Sequence, residues 1–328
     1  MAFGAPPAYM GFVGYAQFDF PGEVVVVRAT SADIKLSQDV TKPELIDGRF
    51  DKSVYQLGPK IVEGTIEYPA IMERVAGGNL DPAARLYSAC VGRETSGPRF
   101  GQLKNINLFD LSVRYTTQFA TFKYKNCLVN TWKYSIAQSD VVKINCGLMG
   151  LTRENATTVD VPFMTPTVAG YPEMARIVTW NDAIVSVVGG GGAPSISGDY
   201  VRSFEVTVDN HADRYYTLNG QLFPQDIAVK KRDIDGRLVL LGRHEQLAEH
   251  AATNQDRCFE DSQVQFGYKL TRHECNSTFL VTLPQIVFRI EELALTNDVF
   301  ETTVQWHSLP NILDLTAAAY LETGGTVS

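Results

Sequence analysis

Polar and apolar residues alternate from Asp33 to Val40 (DIKLSQDV) and again from Ile61 to Pro69 (IVEGTIEYP), the period of two of a half-buried β-strand. A polar stretch bearing Gly and Pro separates them. The second half of the chain has the same arrangement: SFEVTVDN (Ser203 to Asn210), then HADRYYTLNGQLFPQD, then IDGRLVLLG (Ile234 to Gly242). Setting Asp39 against Asp209 and Gly64 against Gly236 needs offsets of 170 and 172 residues, so the pattern reads as a weak internal repeat.

The order continues downstream in both halves. LDPAARLYSACVG (Leu80 to Gly92) and EQLAEHAATNQDRC (Glu245 to Cys258) predict short amphipathic helices, the first with Asp81 as N-cap and Pro82 at the first helical position. Each half then closes with a predicted hairpin, Phe122 to Leu151 and Leu283 to Leu309. The turns QSD and TND lead into second strands that begin at Asp140-Val141 and Asp298-Val299. The Thr- and Pro-rich stretch between the halves lacks periodicity and reads as an extended connector. The expected organisation is a mainly β chain with domains at 1–155 and 181–328, a connector at 156–180, and one short flanking α-helix per domain. VGGGGAPSISGD (Val188 to Asp199) reads as a flexible stretch within the second half.

Strand, long loop, strand, helix and a closing hairpin of the form FKYKNCLVNTWKYSI, with Asn126, Asn130 and Trp132, resemble the tail-tube proteins of long-tailed bacteriophages. The resemblance implies two tandem β-sandwich or small-barrel domains whose inner sheets join those of neighbouring subunits around a tube. Such proteins form hexameric rings from single-domain chains, so a duplicated chain implies a homotrimeric ring of pseudo-sixfold symmetry. The implied function is structural: stacked rings forming a conduit for DNA ejection into the host. The implied partners are further copies of the chain, a tape-measure protein and double-stranded DNA in the lumen, and a sheath if the tail contracts. The implied location is the virion tail, after assembly in the bacterial cytoplasm. A baseplate, tail-terminator or secretion-device tube protein is a near alternative. A β-rich hydrolase or carbohydrate-binding protein is one from a different class.

Ring stacking needs a contact surface, and the loops after the first strand of each half are the candidates. The loop between Lys42 and Lys60 carries Leu45, Ile46, Phe50 and Tyr55, while that between His211 and Gln225 carries Tyr215, Tyr216, Leu218, Leu222 and Phe223. Apolar side chains in a polar loop gain little unless something covers them. The alternative is that they fold back on their own domain.

A net charge of -8 argues against a surface built to grip nucleic acid and suits a lumen that repels phosphate. The amino terminus lacks the pattern of a secretory signal, and no apolar run approaches the ~18 residues of a membrane helix, so no membrane anchor is expected. Cys90, Cys127, Cys146, Cys258 and Cys275 are odd in number and scattered, which indicates neither a disulfide framework nor a zinc site. Free buried thiols and cross-links between subunits both remain open.

HEQLAEH (His244 to His250) sets its histidines six residues apart, roughly 240° around a helix and so on different faces. Gly189 to Gly192 lack the Lys-Ser or Lys-Thr of a phosphate-binding loop. His273 and Cys275 flank Glu274 without the convergence that thiol catalysis requires. No catalytic, cofactor or metal residue is therefore expected.

Overall fold

The computed structural model describes residues 14–21, 23–41, 56–72, 82–91, 99–100, 108–114, 121–154, 176–189, 195–218, 220–242, 262–272, 275–283, 285–296, 299–308 and 319–326. The first half contains the hairpin β1 (Gly14–Phe20) and β2 (Glu23–Ala29), then β3 (Ser31–Thr41), β4 (Gln56–Pro69) and the short β5 (Ile71–Met72). Helix α1 (Pro82–Val91), β6 (Arg99–Phe100), β7 (Phe109–Arg114), β8 (Thr121–Ala137), β9 (Lys143–Gly150) and β10 (Thr152–Glu154) follow. The second half holds β11 (Arg176–Ile177), β12 (Ala183–Val188), β13 (Val201–Asp209), β14 (Asp213–Tyr215), β15 (Asp226–Ala228) and β16 (Asp233–Leu241). It ends with β17 (Gln263–Arg272), β18 (Cys275–Leu283), β19 (Ile286–Thr296), β20 (Val299–Ser308) and β21 (Ala319–Thr326).

The chain is mainly β, and its pairings are antiparallel. One long wall runs β3-β4-β9-β8-β13-β16-β20-β19. The wall is two four-stranded sheets placed edge to edge, each in the order first, second, fourth, third strand. Their registers coincide. Ser31↔Glu67, Asp33↔Thr65, Ile34↔Gly64 and Ser37↔Ile61 become Ser203↔Val239, Glu205↔Arg237, Val206↔Gly236 and Asp209↔Asp233 on adding a constant 172 residues. Likewise Thr65↔Gly147, Ile66↔Cys146 and Tyr68↔Ile144 match Arg237↔Gln305, Leu238↔Val304 and Leu240↔Thr302, with the fourth strands offset by 158. That is also the separation of Asp140-Val141 from Asp298-Val299.

The expected match of Gly64 with Gly236 thus holds in the register, whereas Asp209 falls at the position of Ser37 rather than Asp39. Alternation alone does not distinguish registers two residues apart, because both leave every side chain on the same face.

A second layer covers one face of the wall. The amino-terminal part of β8 bends away to pair with β7, which leads to β1 and β2. A separate sheet, β12-β17-β18-β21-β6, serves the other half. The layers meet through aromatic rings. Trp132 and Tyr134 on β8 and Phe204 on β13 pack against Phe266 of β17 and Phe279 of β18, with centroids 5.3 to 6.5 Å apart. Helix α1 lies on the same face, where Tyr87 meets the edge of Trp132 at 4.9 Å. All of α1 beyond Pro82 is buried, including Arg85, whose guanidinium lies 3.9 Å from the centre of the Phe20 ring. The second expected helix, 245–258, lies outside the described residues, as do parts of the expected connector.

On the opposite face the described side chains of β3, β13 and β16 include Asp33, Lys35, Glu205, Thr207, Asp235 and Arg237, because alternate residues of a strand point to opposite faces. No closed barrel forms among the described residues, and the wall stays open at β3 and β19.

Candidate assembly site

The two four-stranded sheets meet where β8 pairs with β13, from Thr131↔Asp209 through Trp132↔Val208, Tyr134↔Val206 and Ile136↔Phe204 to Ala137↔Ser203. On the covered face this seam is apolar, and Trp132, Tyr134, Phe204, Val206 and Val208 are all buried. On the open face Lys133 Nζ lies 2.6 Å from Glu205 Oε1, both about half-exposed. The seam therefore has the cross-section of the rest of the wall.

The FKYKNCLVNTWKYSI segment supplies β8, and each of its polar landmarks has a local reason. Asn126 has φ of 51°, a left-handed backbone that asparagine tolerates better than most residues, and its N–H donates to Asp110 Oδ1. Asn130 sits at the bulge between Val129 and Thr131. Freed from the ladder by that bulge, its Oδ1 accepts from Ala212 N–H at 2.8 Å, and its carbonyl accepts from Asn210 N–H. Trp132 then fills the core beneath the seam.

Asn210, just beyond β13, is the residue that sequence reading missed. It is fully buried, and its Nδ2 donates to the carbonyls of Cys90 at 2.8 Å and Val129 at 3.1 Å. Its Oδ1 accepts from Arg232 Nε at 3.0 Å. One amide thus ties the end of α1, β8 and the approach to β16 together. The available signal was its place at the end of an alternating strand, where asparagine reads as an ordinary turn former.

The candidate stacking loop of the second half contains β14 and leads into its partner β15, and it reaches across to β4 of the first half. Lys60 N–H donates to the Leu222 carbonyl at 2.7 Å, the Lys60 ammonium lies 4.9 Å from the Phe223 ring centre, and Tyr216 Oη donates to the Lys60 carbonyl. Arg214 donates to the Val62 carbonyl and to Glu63, each at 3.0 Å. Leu222 and Phe223 are half-buried by these contacts. Tyr215 stays half-exposed and Leu218 wholly exposed at the loop's tip. Leu45, Ile46, Phe50 and Tyr55 lie outside the described residues.

Cys90, Cys127 and Cys146 are free and buried. Burial pushes the Cys90 thiol up to about 12 and the other two higher still. Such thiols stay protonated and inert at neutral pH. Cys275 is on β18, while Cys258, His244, His250, His273 and Glu274 lie outside the described residues. Of the four consecutive glycines only Gly189 is described, and its N–H donates to Ser195 Oγ.

A family model described as phage tail tube protein matches residues 107–269, from just before β7 to within β17. The chain belongs to the phage tail-tube family. The matched span contains the β8–β13 seam, Asn130, Trp132 and Asn210. No curated protein matches the chain. No helix among the described residues is long and apolar enough to cross a membrane.

Proposed function

We propose that this tail-tube protein is a tandem-duplicated tube subunit, with domains at 1–155 and 181–328, three copies of which close a ring of pseudo-sixfold symmetry. Rings stack into the tail tube and conduct DNA, with no catalytic step. The observation that carries this reading is the pair of four-stranded sheets with one strand order and one register, already joined edge to edge by β8 and β13. A ring-former turns the sheet edge, normally an aggregation hazard, into its assembly contact.

The polar face of the wall is the lumen surface in this reading, since the second layer and α1 occupy the other face. It carries Asp33, Glu63, Glu67, Glu205, Asp235 and Glu301 against Lys35, Lys133, Lys143 and Arg237. An excess of carboxylates repels phosphate and lets a duplex slide. Eight wall strands per chain at about 4.8 Å spacing give a three-chain circumference of roughly 115 Å before tilt, a channel broad enough for duplex DNA or a tape-measure protein. The tip of the 211–225 loop, with Tyr215 and Leu218 uncovered, is the stacking contact. The product resides in the virion tail after assembly in the host cytoplasm, and a sheath surrounds it if the tail contracts.

Electron microscopy with native mass measurement tests the reading. Stacked rings whose unit mass is three times the 36.2 kDa chain are expected. Rings of six chains would make the second half an added domain, and persistent monomers under all assembly conditions would refute tube formation.

A further inference from the structure

Three backbone bonds close a cycle at the end of the first sheet. Ala70 N–H donates to the Val142 carbonyl at 2.8 Å, Val142 N–H to the Val178 carbonyl at 2.9 Å, and Val178 N–H to the Ala70 carbonyl at 2.8 Å. The third member belongs to the segment that leads into β12, and the same segment sets β11 against β5, with Ile177↔Ile71 and Arg176↔Met72. All three residues of the cycle are buried.

The second half repeats two members of this cycle and lacks the third. The offsets of 172 and 158 carry Ala70 onto Gly242 and Val142 onto Phe300, and Gly242 N–H donates to the Phe300 carbonyl at 2.8 Å. Among the described residues nothing stands in the place of Val178. The Phe300 N–H, which points toward β16 as its carbonyl does, meets no acceptor there, and its side chain is 53% exposed where that of Val142 is 0% exposed. The Gly242 carbonyl accepts instead from Thr302 Oγ1 at 3.0 Å. The site therefore calls for an acceptor carbonyl and an apolar cover, and for no further donor.

The internal repeat names the occupant. The bridge Val187↔Ile196, ahead of β13, takes the place of Phe18↔Val25, ahead of β3. The offset from Phe18 to Val187 is 169, which sets Ala8, Tyr9 and Met10 at the places of Ile177, Val178 and Thr179. Val178 docks on the half that lies beyond β13, across the seam with β8. The corresponding side of the first half is that of β3, and the second half of the same chain lies on the other side.

We infer that the segment Ala8–Met10 of one chain docks on the Gly242–Phe300 site of a second copy. Its backbone accepts from Phe300 N–H as an added strand does, and Tyr9 with Met10 covers the Phe300 ring. This inference rests on the tube reading for the presence of a copy beside β3, while the geometry of docking comes from Val178.

Photo-cross-linking of the full chain tests it. Phe300 is replaced by benzoylphenylalanine, which an exposed ring position tolerates, and ordinary chains are mixed with heavy-isotope-labelled ones before assembly. On irradiation the peptide that bears position 300 should join the tryptic peptide 1–28, with pairs of mixed isotope among the products. Joined pairs of a single isotope only would place the segment on its own chain and overturn the inference, as would joining to any other peptide instead. Tyr9→Asp with Met10→Asp should abolish the product and leave the denaturation midpoint of the monomer unchanged; product at the level of the parent chain overturns the docking. Rings in the microscope without the 1–28 product overturn it and leave the tube reading intact. Mixed-isotope product from chains that build no rings supports the docking and refutes the tube. Chains that neither assemble nor cross-link overturn both.

Discussion

The two four-stranded sheets share strand order and register yet fill that frame with different side chains, so the backbone pairing is kept while the packing is not. Gly64 and Gly236 occupy equivalent positions for unlike reasons. A Cβ on Gly64 would fall 2.0 Å from the Asp33 carbonyl oxygen, a close approach of two backbones, whereas one on Gly236 would fall 1.9 Å from the Trp306 ring. The third strand differs as well. In the first half β8 runs through 17 residues and serves both layers, while the second half holds two strands, β18 and β19, with Pro284 between them in the sequence. Without an N–H, proline cannot continue a ladder. Register is thus the shared property, and single residues carry the asymmetry.

Trp132→Ala should break the comparison most severely. Its ring touches Tyr87, Tyr134 and Phe279, so both layers lose contacts, and a loss of about 3–5 kcal/mol is expected by chemical denaturation. Asn210→Ala comes next. It removes the hydrogen bonds to the Cys90 and Val129 carbonyls and from Arg232 Nε, leaving Arg232 its 3.4 Å bond to the Cys90 carbonyl, at a cost of about 2–3 kcal/mol. The residue at the equivalent register position in the first half, Gln38, donates from Nε2 to the Gly58 carbonyl at 3.1 Å from a partly exposed site. Gln38→Ala should therefore shift the same denaturation midpoint by about 0.5 kcal/mol or less. Equal losses at the two positions would show that the seam does not distinguish them.

Lys133→Ala removes a half-exposed ion pair on the open face and should cost only about 0.2–1 kcal/mol, fading with added salt in the same assay. The smallest effect concerns acid. The Asp140 carboxyl is held below its ordinary range by hydrogen bonds from Lys143 and the Val141 N–H, and Asp233 by Lys231 and then His211. A depressed carboxylate contributes stability that is fully present above its unfolded-state pKa and lost as pH falls through the folded one. Asp140→Asn and Asp233→Asn should each flatten the decline of melting temperature below about pH 4. An unchanged acid limb would mean that both pairs are fully screened.

Strands β3, β4, β13 and β16, helix α1 and the closing hairpins were legible because alternation and turn chemistry are local. The tail-tube resemblance was legible in FKYKNCLVNTWKYSI, and Asn126, Asn130 and Trp132 each occupy a position that needs them. The β8–β13 seam was not legible, since nothing in either strand states its partner across more than sixty residues of chain. The second layer escaped for a related reason. QVQFGYKLTR and CNSTFLVTL alternate well enough for strands, but alternation does not say which sheet they join. The loop at 211–225 was read as a contact surface, and the structure divides it. Tyr216, Leu222 and Phe223 lean on Lys60, while Tyr215 and Leu218 face outward.

The seam between β8 and β13 also bears on how assembly depends on protein concentration. Because both strands belong to one chain, this joint forms at the effective concentration of a tethered pair, of the order of millimolar. In a ring of three such chains, half of the sheet joints exist before any two molecules meet, and dilution can dissolve only the other half. Under the proposed three-chain closure, ring formation would depend on a lower power of concentration than closure from six separate subunits.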